Sequence, residues 1–326
     1  MKKHNTPLPR IRLVSLFFAA LVFSACATIP KNIPAPDEDD FYRLPSGGKM
    51  YLRVDINEAR PLLDALSLEG FSLKEAGSVL DRTETASAVF LGEDSRDRFF
   101  LSLRGNYPTF RAGLSLAFNK GWKKLKSSTG NRYWYSSYYK IGMALGSRMA
   151  LVSQGDPFEI LPATVRTIPP RGFDEFQKQT ILAGWIPEPQ DTVNRFLKNT
   201  GIPIQIPAED FFFGVVPAAD SSDSSNEKSA EEMWELVFQV RTPSVNQARA
   251  LVTLFSLARI FMVSAPLPGT SILVEENDIM DFLPALFANL PVRDEEILTL
   301  RTSGFDIDTL ALLFRAFSVY SGQGLL

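Results

Sequence analysis

Few side chains in this chain could make or break bonds, and their positions limit what they could do. The sole thiol is Cys26 and the sole imidazole is His4. A pair of carboxylates can divide the work of glycoside hydrolysis, and the two candidate pairs are Asp156 with Glu159 and Asp278 with Asp281. Their spacing lets each pair satisfy free backbone N–H groups at a helix start. The flanking sequence favours that second use, because a strand-like run ends before each first Asp and an apolar helical run follows it. Pro162 and Pro284 then fall too deep for a long helix, so each motif is expected to be a short helix that stops or bends there. There is no Gly-rich phosphate loop, no G-x-S-x-G elbow, no H-E-x-x-H and no metal-spaced cluster. No catalytic residue, metal or cofactor is assigned, and the chain is expected not to be an enzyme.

Cys26 points to a different chemistry. Lys2, Lys3, Arg10 and Arg12 precede the apolar run "LVSLFFAALVFSA", too short for a transmembrane helix, so residues 1–25 read as an export signal. The run ends in Ser24, Ala25 and Cys26, which resembles a bacterial lipobox, where a diacylglycerol is attached to the thiol. Phe23 stands where Leu is usual, as in the relaxed lipoboxes of spirochaetes. Each buried acyl methylene contributes about 0.8 kcal/mol, so two or three chains on Cys26 would hold the protein at a bilayer. His4 leaves with the signal. The mature chain then has no histidine and no free thiol, and so lacks the common zinc ligands, the usual general base near neutral pH and any disulfide. Loss of four cations and no acid moves the net charge from −3 to about −7, which argues against a nucleic-acid partner.

Residues 26–47 are rich in Pro and acid and read as a lipidated tether. Two similar sheet-and-helix units are expected beyond it, 48–167 and 168–326, giving an α+β or α/β fold. In the first, "KMYLRVD", "ASAVFLGE" and "DRFFLSLRG" alternate as strands, while "NEARPLLDALSL", "SLKEAGSVLDR" and "PTFRAGLSLAFN" have helical spacing. In the second, the strands are "TILAGWI", "DFFFGVV" and "MWELVFQVR", and the helices "PQDTVNRFLKN" and "SVNQARALVTLFSLAR". Each unit closes on a related sentence, "MALVSQGDPFEILPATV" at 149–165 and "SILVEENDIMDFLPALF" at 271–287. A partial third copy, "EEILTLRTSGFDIDTLALLF", is expected to complete the second sheet, with Asp308 and Thr309 opening its helix.

The units differ in their insertions. The second carries "PAADSSDSSNEKSAEE", a Ser- and acid-rich loop. The first carries "KGWKKLKSSTGNRYWYSSYYKIGMALG", which concentrates Trp122, Lys123, Lys124, Lys126, Arg132, Tyr133, Trp134, Tyr135, Tyr138 and Tyr139. One reading is a β-hairpin turning at "STGN", with its aromatic residues packed across strands. The other makes these residues a contact surface for anionic lipid, a cell-wall glycan or a periplasmic protein, because Tyr and Trp join an apolar body to a polar tip and Lys attracts anions.

Three stretches, "ARALVTLFSLARIFMV", "DIMDFLPALFANL" and "DTLALLFRAFSVY", are apolar around most of their circumference. They read first as helices buried between the sheet and its neighbours, and alternatively as helices that lie on or insert into a bilayer or line a pocket for an acyl chain. The function expected is membrane or lipid contact through such helices. In its lipobox and these helices the chain resembles the outer-membrane-associated lipoproteins of treponemes, some of which have an α/β/α body and use amphipathic helices to sense or enter the bilayer. The resemblance implies a membrane-anchored lipoprotein of the cell envelope, facing the periplasm and on the outer rather than the inner membrane. It assigns a role to Cys26 alone.

Overall fold

The computed structural model describes residues 44–66, 79–91, 98–160, 167–190, 194, 205–218, 233–264 and 288–322. The segment expected to be an export signal, Cys26, most of the expected tether and the stretch 271–287 lie outside them. In chain order the elements are β1 (Met50–Asp55), α1 (Arg60–Leu66), β2 (Thr83–Phe90), β3 (Phe99–Gly105) and α2 (Thr109–Phe118). Next come β4 (Trp122–Lys126), β5 (Arg132–Ser136), β6 (Ile141–Leu145), β7 (Met149–Gln154), α3 (Pro157–Ile160) and α4 (Phe173–Lys178). The second half supplies β8 (Leu182–Pro187), β9 (Asp210–Pro217), β10 (Trp234–Arg241), α5 (Val245–Ser264), β11 (Val292–Asp294), β12 (Ile297–Arg301) and α6 (Ile307–Gly322).

All twelve strands join one sheet in the order β11-β12-β10-β9-β8-β1-β2-β3-β7-β6-β5-β4. Every described ladder is antiparallel, so of the two expected classes the fold is α+β. The α/β alternative needs parallel strands joined by crossovers, and no described pair is parallel. Two meanders, β1-β2-β3-β7 and β8-β9-β10-β12, run outward from the central β1–β8 pair, where Tyr51 faces Trp185. Both halves therefore belong to one continuous sheet. The strand beside β10 is β12, from the segment expected to complete the second sheet.

Strand alternation distributes the core on two faces. On one, Tyr51, Val89, Phe100, Leu151, Trp185 and Phe212 pack with Phe158 of α3 and with Phe173 and Phe176 of α4. Helix α4 follows "IPPRG", and Gly172 at φ +90° makes the left-handed entry. On the other face, α2 covers Leu103, Trp134, Leu145 and Ala150; Leu62 of α1 and Leu310 and Leu313 of α6 cover Val215, Trp234 and Leu236; and Leu251 and Phe255 of α5 cover Val240, Leu298 and Leu300. Each such Leu or Phe contributes about 1.5–3 kcal/mol by leaving water.

Short polar side chains start α3, α5 and α6. Asp156 Oδ1 accepts the Phe158 N–H at 2.8 Å, so the first carboxylate pair begins with a cap. Ser244 Oγ accepts from Gln247 N at 3.4 Å before α5. At α6 the cap is Asp306, whose Oδ1 accepts from Thr309 N at 2.7 Å. Asp308 instead occupies the first turn. The opening expected at Asp308–Thr309 thus lies two residues earlier, where a carboxylate can reach the free N–H groups.

Candidate functional site

The aromatic and basic insertion is the hairpin β4–β5 with β6 beside it. Lys126 pairs with Arg132 across a turn at 127–131, where Ser127 N donates to Asn131 O at 2.8 Å. Gly130 sits at φ +87°, a conformation costly for residues with a Cβ. β4 ends the sheet, so its outer backbone edge has no partner strand among the described residues.

The ten expected contact residues divide by burial. Tyr133 is 8% exposed and Trp134 7%. Tyr133 belongs to the core on the α3 side and Tyr135, half-buried, packs against it. Trp134 belongs to the core under α2, and half-buried Trp122 packs there too. Burial raises the Tyr133 phenol above its usual range, and the carboxylates of Asp156 and Glu159 add to the effect. These four rings hold the hairpin to the sheet. In contrast Lys123, Lys124, Lys126, Arg132, Tyr138 and Tyr139 are exposed. Lys124 Nζ lies 5.6 Å from the centroid of the Trp134 ring, within cation–π range. Tyr138, 82% exposed, and Tyr139 project from the β5–β6 turn with their rings in a T-shaped pair at 4.8 Å.

The surroundings enlarge this surface with residues that the reading of the hairpin passed over. α2 has no fully buried residue; Ala112 and Leu116 pack against the core below it, while Leu114 and Phe118 are exposed, Phe118 at 80%. Between Arg98 and Gly155 the sequence holds ten Lys and Arg and no Asp or Glu, whereas all 37 acids lie elsewhere in the chain. This stretch builds β3, α2 and β4 to β7, one end of the sheet. Arg104 alone among the ten is not exposed, and it faces Glu84 at 3.8 Å. The acid-free run was visible in the sequence and was the signal that would have extended the site to α2.

A cleft of about 330 Å³ opens near the chain's entry to the body, between Ser46–Lys49, Thr167, Ile168 and Glu188. Its aromatic members, Tyr51 and Trp185, stack on each other at 4.8 Å and are buried. Tyr51 Oη accepts from Gly48 N and donates to Pro45 O, so the cleft's polar groups secure the incoming chain. Among the described residues no cluster of His, Cys, Asp and Glu could hold a metal ion, and no helix is long and apolar enough to cross a membrane.

The apolar stretches expected to be either core or membrane-active are in part described. α5 buries Ala248, Leu251 and Phe255 and exposes Leu257 and Ile260; α6 buries Leu310, Ala311 and Leu313 and exposes Leu312. Each therefore lays an apolar face on the sheet. The stretch "DIMDFLPALFANL" lies outside the described residues, apart from its last three positions.

No family model matches the chain, and no curated protein matches it in sequence. Its fold is similar to that of TP0453 from Treponema pallidum. Against crystal form III the TM-score is 0.54 at 13% identity, covering 86% of this chain and 99% of that one. Against form IV it is 0.53 at 16% identity, covering 85% and 96%. Against form I it is 0.54 at 14% identity, covering 86% and 97%. At such identities the likeness is one of fold.

Proposed function

We propose that this protein is a non-catalytic lipoprotein of a bacterial cell envelope, anchored through acylated Cys26 and facing the periplasm, whose folded body acts by contact with lipid. The carrying observation is charge segregation: in a chain with 37 acids, the stretch from Arg98 to Gly155 that builds one end of the sheet holds ten cations and no acid, and Glu84, Asp156 and Glu159 approach that end from the elements beside it. Such an end is attracted to anionic headgroups, while the acidic remainder is repelled, which also orients the body. The fold likeness to TP0453 over most of both chains agrees with a treponemal-type envelope protein. The alternative, capture of a glycan or protein by the hairpin, draws less support, because Tyr133 and Trp134 spend their faces on the core.

The test is flotation of the mature chain, from residue 26 onward and carrying Cys26→Ala, with vesicles of phosphatidylcholine alone or mixed with phosphatidylglycerol. Flotation with the mixed vesicles that weakens as salt rises is the expected result. Failure to float with either would refute lipid contact by the body and leave the acyl chains as the sole attachment.

A further inference from the structure

We propose that one corner of the cationic end, where α2 finishes beside the β5–β6 turn, enters the headgroup layer of an anionic bilayer; this rests on the lipid-contact reading above and names the surface that makes the contact. Two pieces of backbone define the corner. Trp122 pairs with Ser136 across the hairpin, which sets the residues before β4 beside those after β5. Both pieces are tied back to that pair, Trp122 N donating to Asn119 O at 3.0 Å and Tyr139 N to Ser136 Oγ at 3.3 Å. Phe118, Tyr138 and Tyr139 are exposed there, as are Lys120 and Lys140 in the same two pieces of backbone and Lys123, next to Trp122 on the other face of β4.

Sheet protection and core packing explain only Lys123 of this group. Lysines on an edge strand discourage pairing with another sheet, which accounts for those of β4. Lys120 precedes β4 and Lys140 lies in the β5–β6 turn, so neither guards that edge. Phe118 adds nothing to the core that Ala112 and Leu116 of the same helix join. Lys140 holds φ +55°, a backbone state uncommon for residues other than Gly, Asn and Asp, in the turn that carries Tyr138 outward. Aromatic tips ringed by lysine match the bilayer interface: the rings settle at headgroup depth and the ammonium groups meet lipid phosphates. Each lysine near an anionic surface is worth about five-fold in affinity, so removing three costs about a hundred-fold.

The chain's single cysteine makes the test direct. In the mature Cys26→Ala chain, Tyr138→Cys places an environment-sensitive dye at the corner, and Val292→Cys places it on β11 at the opposite edge, where Val292 is also exposed. With phosphatidylglycerol–phosphatidylcholine vesicles, a blue shift is expected at 138 and none at 292. Lys120→Gln with Lys123→Gln and Lys140→Gln should weaken binding about a hundred-fold, whereas Lys49→Gln with Lys178→Gln and Arg293→Gln, three exposed cations elsewhere, should not. Flotation with a shift at 292, or at neither position, would overturn the corner while leaving lipid contact intact. Flotation with phosphatidylcholine alone that ignores the lysine changes would overturn the anionic-headgroup chemistry in the same way. Binding to soluble heparin but to no vesicle would overturn both and indicate an acidic polymer.

Discussion

The two halves of the sheet meet at one antiparallel pair and then diverge in how they use their helices. In the second half α5 and α6 bury Leu251, Phe255, Leu310 and Leu313 against the strands. In the first, α2 buries no residue fully and leaves Phe118 and Leu114 in the open. Charge divides in the same direction, since the strands and α2 of the first half's outer end carry no acid of their own. The β11 end mixes Arg293 with Asp294, Glu295 and Glu296. On this face the fully buried helix residues thus lie in the centre and the second half, and the surface with spare apolar and cationic groups is the outer end of the first.

The comparison breaks if truncations in the two halves cost the same. Leu310→Ala removes a side chain of 0% exposure and is expected to cost about 2–5 kcal/mol in chemical denaturation. Leu114→Ala, half-exposed on α2, is expected to stay within about 0.5 kcal/mol of the parent. An equal loss at Leu114 would mean that α2 is as firmly docked as α6, and the open corner would lose its physical basis.

A smaller effect sharpens the same contrast at the helix starts. α6 opens on Asp306, whose carboxyl lies below the usual carboxylate range chiefly because Thr309 N–H donates to it. α2 opens on Pro108 with no side-chain cap. Asp306→Ala should therefore lower stability by about 1 kcal/mol at neutral pH. Because the folded-state pKa is depressed, that contribution is present above the unfolded value near about 3.9 and is lost as pH falls through the folded value. Denaturation curves of parent and variant should converge on acidification, and a gap that persists at low pH would assign the loss to something other than the ionised cap.

Strand content was legible in the sequence because half-buried antiparallel strands alternate, and "ASAVFLGE", "DFFFGVV" and "MWELVFQVR" all do so. Helix α4 was hidden, since "IPPRGFDEFQKQ" is short and opens with residues that normally mark loops. The sheet order could not be read, because the β1–β8 pairing joins residues far apart in the chain and periodicity reports only local geometry. The hairpin was legible as a hairpin and illegible as a surface. Trp134 and Tyr138 are alike in chemistry and near in sequence, and only the position of α2 and the core below it makes one a buried anchor and the other an exposed tip.

The smallest expected effect tests whether neighbouring lysines on β4 share one role. Lys123 and Lys124 are both exposed on that edge strand, but alternation sends them to opposite faces, and Lys124 lies over the Trp134 ring. An exposed cation–π contact of this kind contributes about 0.5 kcal/mol. Lys124→Gln should lower stability by about that amount, while Lys123→Gln should not. For vesicles the two should behave alike, each losing about five-fold in affinity, since a surface field counts charge and ignores ring contacts. The stability effect of Lys124→Gln should also vanish when Trp134 is already Ala, as a double-mutant cycle requires of a direct pair. Persistence of the effect there would move Lys124 from the ring to the edge, leaving it a charge like the rest.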